Sequence, residues 1–149
     1  MAVCFMLALP SAAADIMGQA TVIDGDTIEM HGRHIRLFGI DAPEAPQTCT
    51  ASGKPYLCGQ QAALALADHI GRRMVSCEER DIDRYGRIVA ICFAGGDDLG
   101  GWLVEHGWAL AYRRYSVAYV GLERAAESAG RGIWRGEFVT PWEWRKGIR

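Results

Sequence analysis

The chain reads as an α+β protein, a small five-stranded antiparallel β-barrel with about three covering helices, and three observations carry that reading. Between Gln19 and Ile40, apolar or β-branched residues alternate with polar ones through QATVIDGDTIEMHGRHIRLFGI, with breaks at Asp24-Gly25 and His31-Gly32. That is the pattern of three short antiparallel strands joined by tight turns. From Gln60 to Ile70, QQAALALADHI is rich in Ala and Leu, lacks Gly and Pro, and stops at Gly71, as a helix does. Two further strand-like runs, 73–79 and 87–93, bring the strand count to five.

The remaining elements follow in order. DLGGWLVEHGW begins at an Asp that suits a helix cap and reaches a helix-ending Gly107. VAYVGLERAAESAGRG reads as a surface helix stopped by Gly130 or Gly132. Five strands with helices in the middle and at the end suggest a barrel of the OB type. The closing WRGEFVTPWEWRKGIR holds three of the five Trp residues and is expected to pack onto the body.

With 149 residues, of which 50% are hydrophobic, the chain has room for one domain around one core. It contains no internal repeat or domain-separating linker, and no apolar run long enough to span a membrane. Residues 1–14 combine an apolar stretch, MAVCFMLALP, with an Ala-x-Ala site ending at Ala14, the pattern of a cleaved secretion signal. The single domain is then 15–149, located outside the cell or in the periplasm. No Lys or Arg precedes Arg33, so the usual basic start of a signal is missing; an N-terminal element packed on the core is the alternative.

Cysteine usage points the same way. Cys4 would leave with the signal, and Cys49, Cys58, Cys77 and Cys92 form an even set suited to an oxidising compartment. No C-x-x-C or H-E-x-x-H occurs, which argues against a zinc site. Cys77 and Cys92 flank EERDIDRYGRIVAI, whose midpoint is the turn-like Arg84-Tyr85-Gly86. A hairpin there would set the two cysteines opposite each other and leave Cys49 to pair with Cys58, one of the three connectivities that four cysteines allow.

The net charge of −2 hides an asymmetry: eight basic against four acidic residues from Arg113 to Arg149, and eight against fourteen before it. That is not the usual balance of a tight, repressor-like nucleic-acid binder, whereas an enzyme that must release its product needs less of a basic field. Three stretches carry chemistry: VIDGDT (22–27), IRLFGIDAPE (35–44) and DRYGR (83–87). DIDRYG is not an EF-hand loop, because Tyr85 and Cys92 occupy ligand positions. Asp26 and Asp41 offer hard oxygens suited to Ca²⁺ or Mg²⁺, and Glu44 follows Asp41 by three residues. Arg36 and Arg87 present planar donor forks that match a phosphate. Phosphodiester hydrolysis needs such a set: a metal, a proton acceptor for water, and positive charge where the phosphoryl oxygens become more negative.

In this order, VIDGDT, R-x-x-x-x-D-x-P-E (Arg36 to Glu44) and DRYGR resemble the active-site segments of the staphylococcal nuclease family, and the resemblance spans roughly Ala20 to Trp134. It implies an OB-fold nuclease that depends on Ca²⁺ and hydrolyses DNA and RNA by in-line attack of water on phosphorus, leaving 3′-phosphate ends. It further implies that Asp26, Asp41 and the main-chain carbonyl of Ala42 bind the metal, and that Asp24 stands just behind them. Glu44 would be the general base or orient the water, Arg36 and Arg87 would contact the scissile phosphate, and Tyr85 and Tyr112 would line the nucleotide pocket. This chain has Ala42 where the family has Thr, and its 45–59 loop is longer, less basic and contains Cys49 and Cys58. A monomer without an obligate protein partner or membrane attachment is expected. The competing class is a non-catalytic OB-type module that binds nucleic acid, which need not keep all of Asp26, Arg36, Asp41, Glu44 and Arg87. A Ser-His-Asp hydrolase lacks its G-x-S-x-G elbow.

Overall fold

The computed structural model describes residues 15–149; the expected signal, 1–14, lies outside the described residues. In chain order the strands and helices are β1 (Ile16–Gly18), β2 (Thr21–Asp24), β3 (Thr27–Met30), β4 (Arg33–Leu37), β5 (Ile40–Asp41), β6 (Cys49–Ala51), β7 (Lys54–Tyr56), α1 (Cys58–Ile70), β8 (Val75–Ile82), β9 (Ile88–Ala94), β10 (Asp97–Asp98), α2 (Leu99–Glu105), β11 (Leu110–Ala111), α3 (Val120–Ala129) and α4 (Pro141–Arg145), with a 3₁₀ turn at Gly132–Arg135 before α4.

The main sheet runs β1-β8-β9-β4-β3-β2, with β10 added on β9. Its two ends, β1 and β2, are separated in the chain only by Gln19 and Ala20, so one bent segment serves both edges without a ladder closing the ring. This is the strand arrangement of an OB-type barrel. The two hairpins of the 19–40 stretch form as expected, Thr27 opposite Arg36 and Thr21 opposite Glu29. One pairing differs from an all-antiparallel sheet: β4 and β9 run parallel, with Arg36 beside Val89. A parallel partner requires a long crossover, here the segment containing α1 and β8, and local alternation carries no trace of it. Two small two-stranded sheets, the long-range pair β5–β11 and the hairpin β6–β7, flank the main one.

Inward-facing residues of the sheet (Ile28, Ile35, Leu37, Ile88, Ala90) meet Leu66 and Ile70 of α1 and Leu99 and Leu103 of α2 in one core. Each such Leu or Ile contributes about 1.5–3 kcal/mol through burial. Helix α2 starts where the sequence placed its cap: the Asp98 carboxylate accepts from the Gly101 N–H. Helix α3 ends at Gly130, left-handed with φ 63°. Gly25 matters for a different reason: a Cβ there would stand 2.8 Å from Ala42 Cβ and 2.9 Å from Ala62 Cβ, so the DGD turn can lie against α1 only without a side chain.

A second cluster joins the tail to the body. Cys49, Cys58, Leu110 and Ile133 are buried, with Tyr56, Trp108, Trp134, Phe138 and Trp142 packed on them. The tail therefore packs on the body, and it adds a fourth helix, α4, whose Thr140 cap accepts from Glu143 N–H and donates to its carboxylate at 2.7 Å. Both disulfides are present: Cys77 and Cys92 are directly opposite on β8 and β9, and Cys49–Cys58 ties β6 to the start of α1.

Candidate active site

A cleft of about 1040 Å³ opens on one side of the sheet, and the DGD turn, the segment from β4 to Glu44, the β8–β9 turn and α4 all border it. Sheet register explains why residues so far apart in sequence meet there. Arg36 neighbours Val89 across the parallel pair, and Arg87 lies two residues before Val89, so both guanidinium groups fall on the same face. Thr27, opposite Arg36 on β3, brings Asp26 alongside.

The carboxylates are closely held. Asp41 is 0% exposed and Asp26 8% exposed. A single nitrogen, Arg36 Nη2, lies 3.2 Å from Asp41 Oδ1 and 3.6 Å from Asp26 Oδ2, so the two acids face a common point. Asp26 is aimed by the Ala42 N–H, which donates to its Oδ2 at 2.8 Å, and by the Thr27 hydroxyl, which donates to Oδ1 at 3.1 Å. Arg36 Nη1 donates to the carbonyls of Leu37 and Ile40, fixing the plane of its fork. Burial, with the Asp26 charge adding to it, raises the Asp41 carboxyl above its ordinary value against the pull of Arg145 and Arg36. The same two causes lift Asp24 to about 6.

Arg87 is fixed from one side only. The Asp83 carboxylate accepts from its Nε at 2.7 Å and from the N–H groups of Tyr85 and Arg87, a turn held together by one side chain. Burial of Asp83 is outweighed by these bonds, which hold its carboxyl below the usual range. Among the described residues no protein acceptor bonds the two terminal nitrogens of Arg87, whose residue lines the cleft. Glu44 lies on the wall with its side chain about one-third exposed, at 34%.

Asp24, Asp26, Arg36, Asp41, Glu44, Tyr85, Arg87 and Tyr112 thus all line the one cleft. Ala42 does not: it is buried behind Asp26 and touches it through its N–H. Tyr85, 69% exposed, stands at the rim beside Arg84 and Arg87, and Tyr112 stacks on Trp142 at 5.7 Å.

Several participants escaped the sequence reading. Arg145 of α4 bonds Asp41 and Glu44, and Arg114, Tyr115, Trp142 and Lys146 also line the cleft. Gln47 is fully buried; its side-chain oxygen accepts from the Glu44 N–H at 3.1 Å, and its NH₂ donates to the Val139 carbonyl at 2.7 Å. It ties the Glu44 loop to the tail. The only advance signal was the T-P-x-E capping box at Thr140–Glu143, which marks a helix but not its docking place.

The donor chemistry fits a hard divalent cation. Two carboxylates share one focus in a cleft open enough for water and phosphate oxygens to complete the shell. Among the described residues no three Asp, Glu, His or Cys side chains form a ready cage, so any ion here depends on main-chain, water or substrate oxygens for the rest.

Fold and cleft together define an OB-type protein with paired acids and paired guanidinium groups converging on one site. The chain belongs to the staphylococcal nuclease homologue family, whose model matches residues 34–136. It is 43% identical over 130 residues, 85% of this chain and 68% of the relative, to the succinoglycan biosynthesis protein ExoI of Rhizobium meliloti (strain 1021). It is 32% identical to the micrococcal nuclease of Shigella flexneri over an alignment of 164 residues, covering 97% and 88% of the two chains. An uncharacterized endonuclease of Haemophilus influenzae is 28% identical over 133 residues, 84% and 70% of the chains.

Proposed function

We propose that this protein is a nuclease that hydrolyses phosphodiester bonds of DNA and RNA with calcium held by Asp26 and Asp41, and that it works outside the cell or in the periplasm. Membership of the family, with relatives named micrococcal nuclease and endonuclease, supports the hydrolase class. The observation that carries the reading is the convergence of Asp26, Asp41, Glu44, Arg36 and Arg87 on one cleft. Five charges kept together in this way suit catalysis better than a passive binding module.

Bound calcium would supply positive charge beside the phosphoryl oxygens. The chain's own residues do the rest. Arg87 offers the terminal nitrogens of a fork already aimed by Asp83, and Arg36, fixed by the Leu37 and Ile40 carbonyls, offers positive charge from the opposite strand. Their guanidinium groups stabilise the charge that grows on the phosphoryl oxygens as water attacks. The Glu44 carboxylate accepts the proton of that water and orients it in line with the leaving 5′ oxygen, leaving a 3′-phosphate. Tyr112, stacked on Trp142, and Tyr85 supply aromatic faces for the flanking nucleoside. The two disulfides support an oxidising location.

Purified protein incubated with labelled single-stranded DNA and RNA, with Ca²⁺ or with chelator, tests the reading beside Arg87→Ala and Glu44→Ala. Cleavage that requires the metal and falls about a hundredfold or more in each variant is expected. Equal cleavage by all three proteins, or cleavage undiminished by chelator, refutes it.

A further inference from the structure

Helix α4 delivers Arg145 into the centre of the acidic cluster. Pro141 and the Thr140 cap start the helix, Trp142 seats it against Tyr112, and Arg145 closes it. Its guanidinium grips Asp41 at both oxygens, Nη1 to Oδ1 at 3.0 Å and Nη2 to Oδ2 at 2.7 Å, while Nη1 also donates to Glu44 Oε1 at 2.6 Å. Buried Asp41 has no exposed surface from which to face water, so its charge must be balanced by a partner. Arg36 and Arg145 fill that need from two sides.

These two partners are not equivalent. Arg36 sits on the central sheet with its side chain 15% exposed and two carbonyls fixing its fork. Arg145 sits on a peripheral five-residue helix with its side chain 40% exposed, so it has a path into solvent once a cation takes over the balancing of Asp41. A cation binding Asp41 needs an oxygen that Arg145 now holds.

We propose that Arg145 occupies the cation's place in the ion-free site, pairing with Asp41 and Glu44 and competing directly with the divalent cation, which displaces it from Asp41 and so couples α4 to metal binding. This rests on the reading of Asp26 and Asp41 as cation ligands. A merely structural staple behaves differently, because its loss would loosen the site and weaken metal binding. Loss of a competitor strengthens it.

Calorimetric titration of CaCl₂ into the full chain distinguishes the two, using wild type, Arg145→Gln, Arg145→Lys and Asp41→Asn, together with hydrogen exchange of residues 141–149 with and without Ca²⁺. Arg145→Gln is expected to bind Ca²⁺ about tenfold or more tighter than wild type, since a positive charge leaves the immediate surroundings of the ion. Arg145→Lys, which keeps the charge but not the fork, should fall between, and Ca²⁺ should speed exchange in α4 of the wild type. Equal or weaker binding by Arg145→Gln, or unchanged or slower exchange in α4 on adding Ca²⁺, overturns the proposal while leaving the cation site standing. Failure of wild type to bind Ca²⁺, or Asp41→Asn binding as well as wild type, overturns the cation site as well. If Arg145→Gln does not fold, the wild-type exchange measurement decides alone.

Discussion

Replacing Gln47 with leucine tests whether the Glu44 loop is held from within. The side chain is completely buried and makes two hydrogen bonds that bridge the loop to the tail, one accepted from the Glu44 N–H and one donated to the Val139 carbonyl. Leucine fills most of the volume but leaves that N–H and that carbonyl without partners, at about 1–3 kcal/mol each. The combined loss, about 2–6 kcal/mol, is a large fraction of the roughly 5–15 kcal/mol that holds a domain together. For a chain of this length it lowers Tm by about 4–24 °C. Glu44 loses the bond that fixes its main chain, so kcat for nucleic-acid cleavage should fall by about tenfold or more while the fold survives, since small misplacements of a reacting group are costly. Thermal unfolding followed by circular dichroism and steady-state cleavage rates measure the two effects. A Tm within about 2 °C of wild type with unchanged kcat would show that the buried amide does not hold Glu44.

Reduction of Cys49–Cys58, or the paired change to serine, should destabilise the protein by about 2.5–3 kcal/mol on the chain-entropy model. It should raise KM more than it weakens Ca²⁺ binding, because the loop forms the rim and does not supply the carboxylates; unchanged KM and Tm would contradict this. Asp83→Asn keeps the turn's shape but weakens the hold on Arg87 Nε, so kcat should drop about tenfold with Tm little altered, and an unaltered kcat would count against a positioning role for Asp83. Asp24 has its carboxyl raised from 3.8 to about 6 by burial and by the Asp26 charge, so the stability it contributes is present below the lower value and lost as pH rises through the upper one. In chelator, Asp24→Asn should therefore raise Tm at pH 8 and leave it unchanged at pH 4, as read by differential scanning calorimetry. The same Tm gain at both pH values would place the effect elsewhere.

Local pattern was enough for most elements because each rests on neighbours in the chain. Alternation set the 19–40 hairpins, Ala and Leu content set α1, and Asp98 set the start of α2 through a bond only three residues long. The Cys77–Cys92 pairing was equally legible, since a hairpin with a centred turn puts those positions opposite each other. The site was readable in part for a chemical reason: carboxylates and guanidinium groups announce their chemistry by type, and the family motifs fix their order.

Residue order alone specified an α+β chain with a strand-rich first half, two disulfide pairings, and the charged set Asp26, Arg36, Asp41, Glu44 and Arg87. Packing in three dimensions made β4 and β9 parallel, bringing Arg36 and Arg87 to one face, and turned α4 back to put Arg145 on Asp41 while Gln47 joins Glu44 to the tail. The physical reason is range. Periodicity and capping report interactions within a few residues, whereas a contact between positions 41 and 145 forms only when two separately folded pieces bury a common surface.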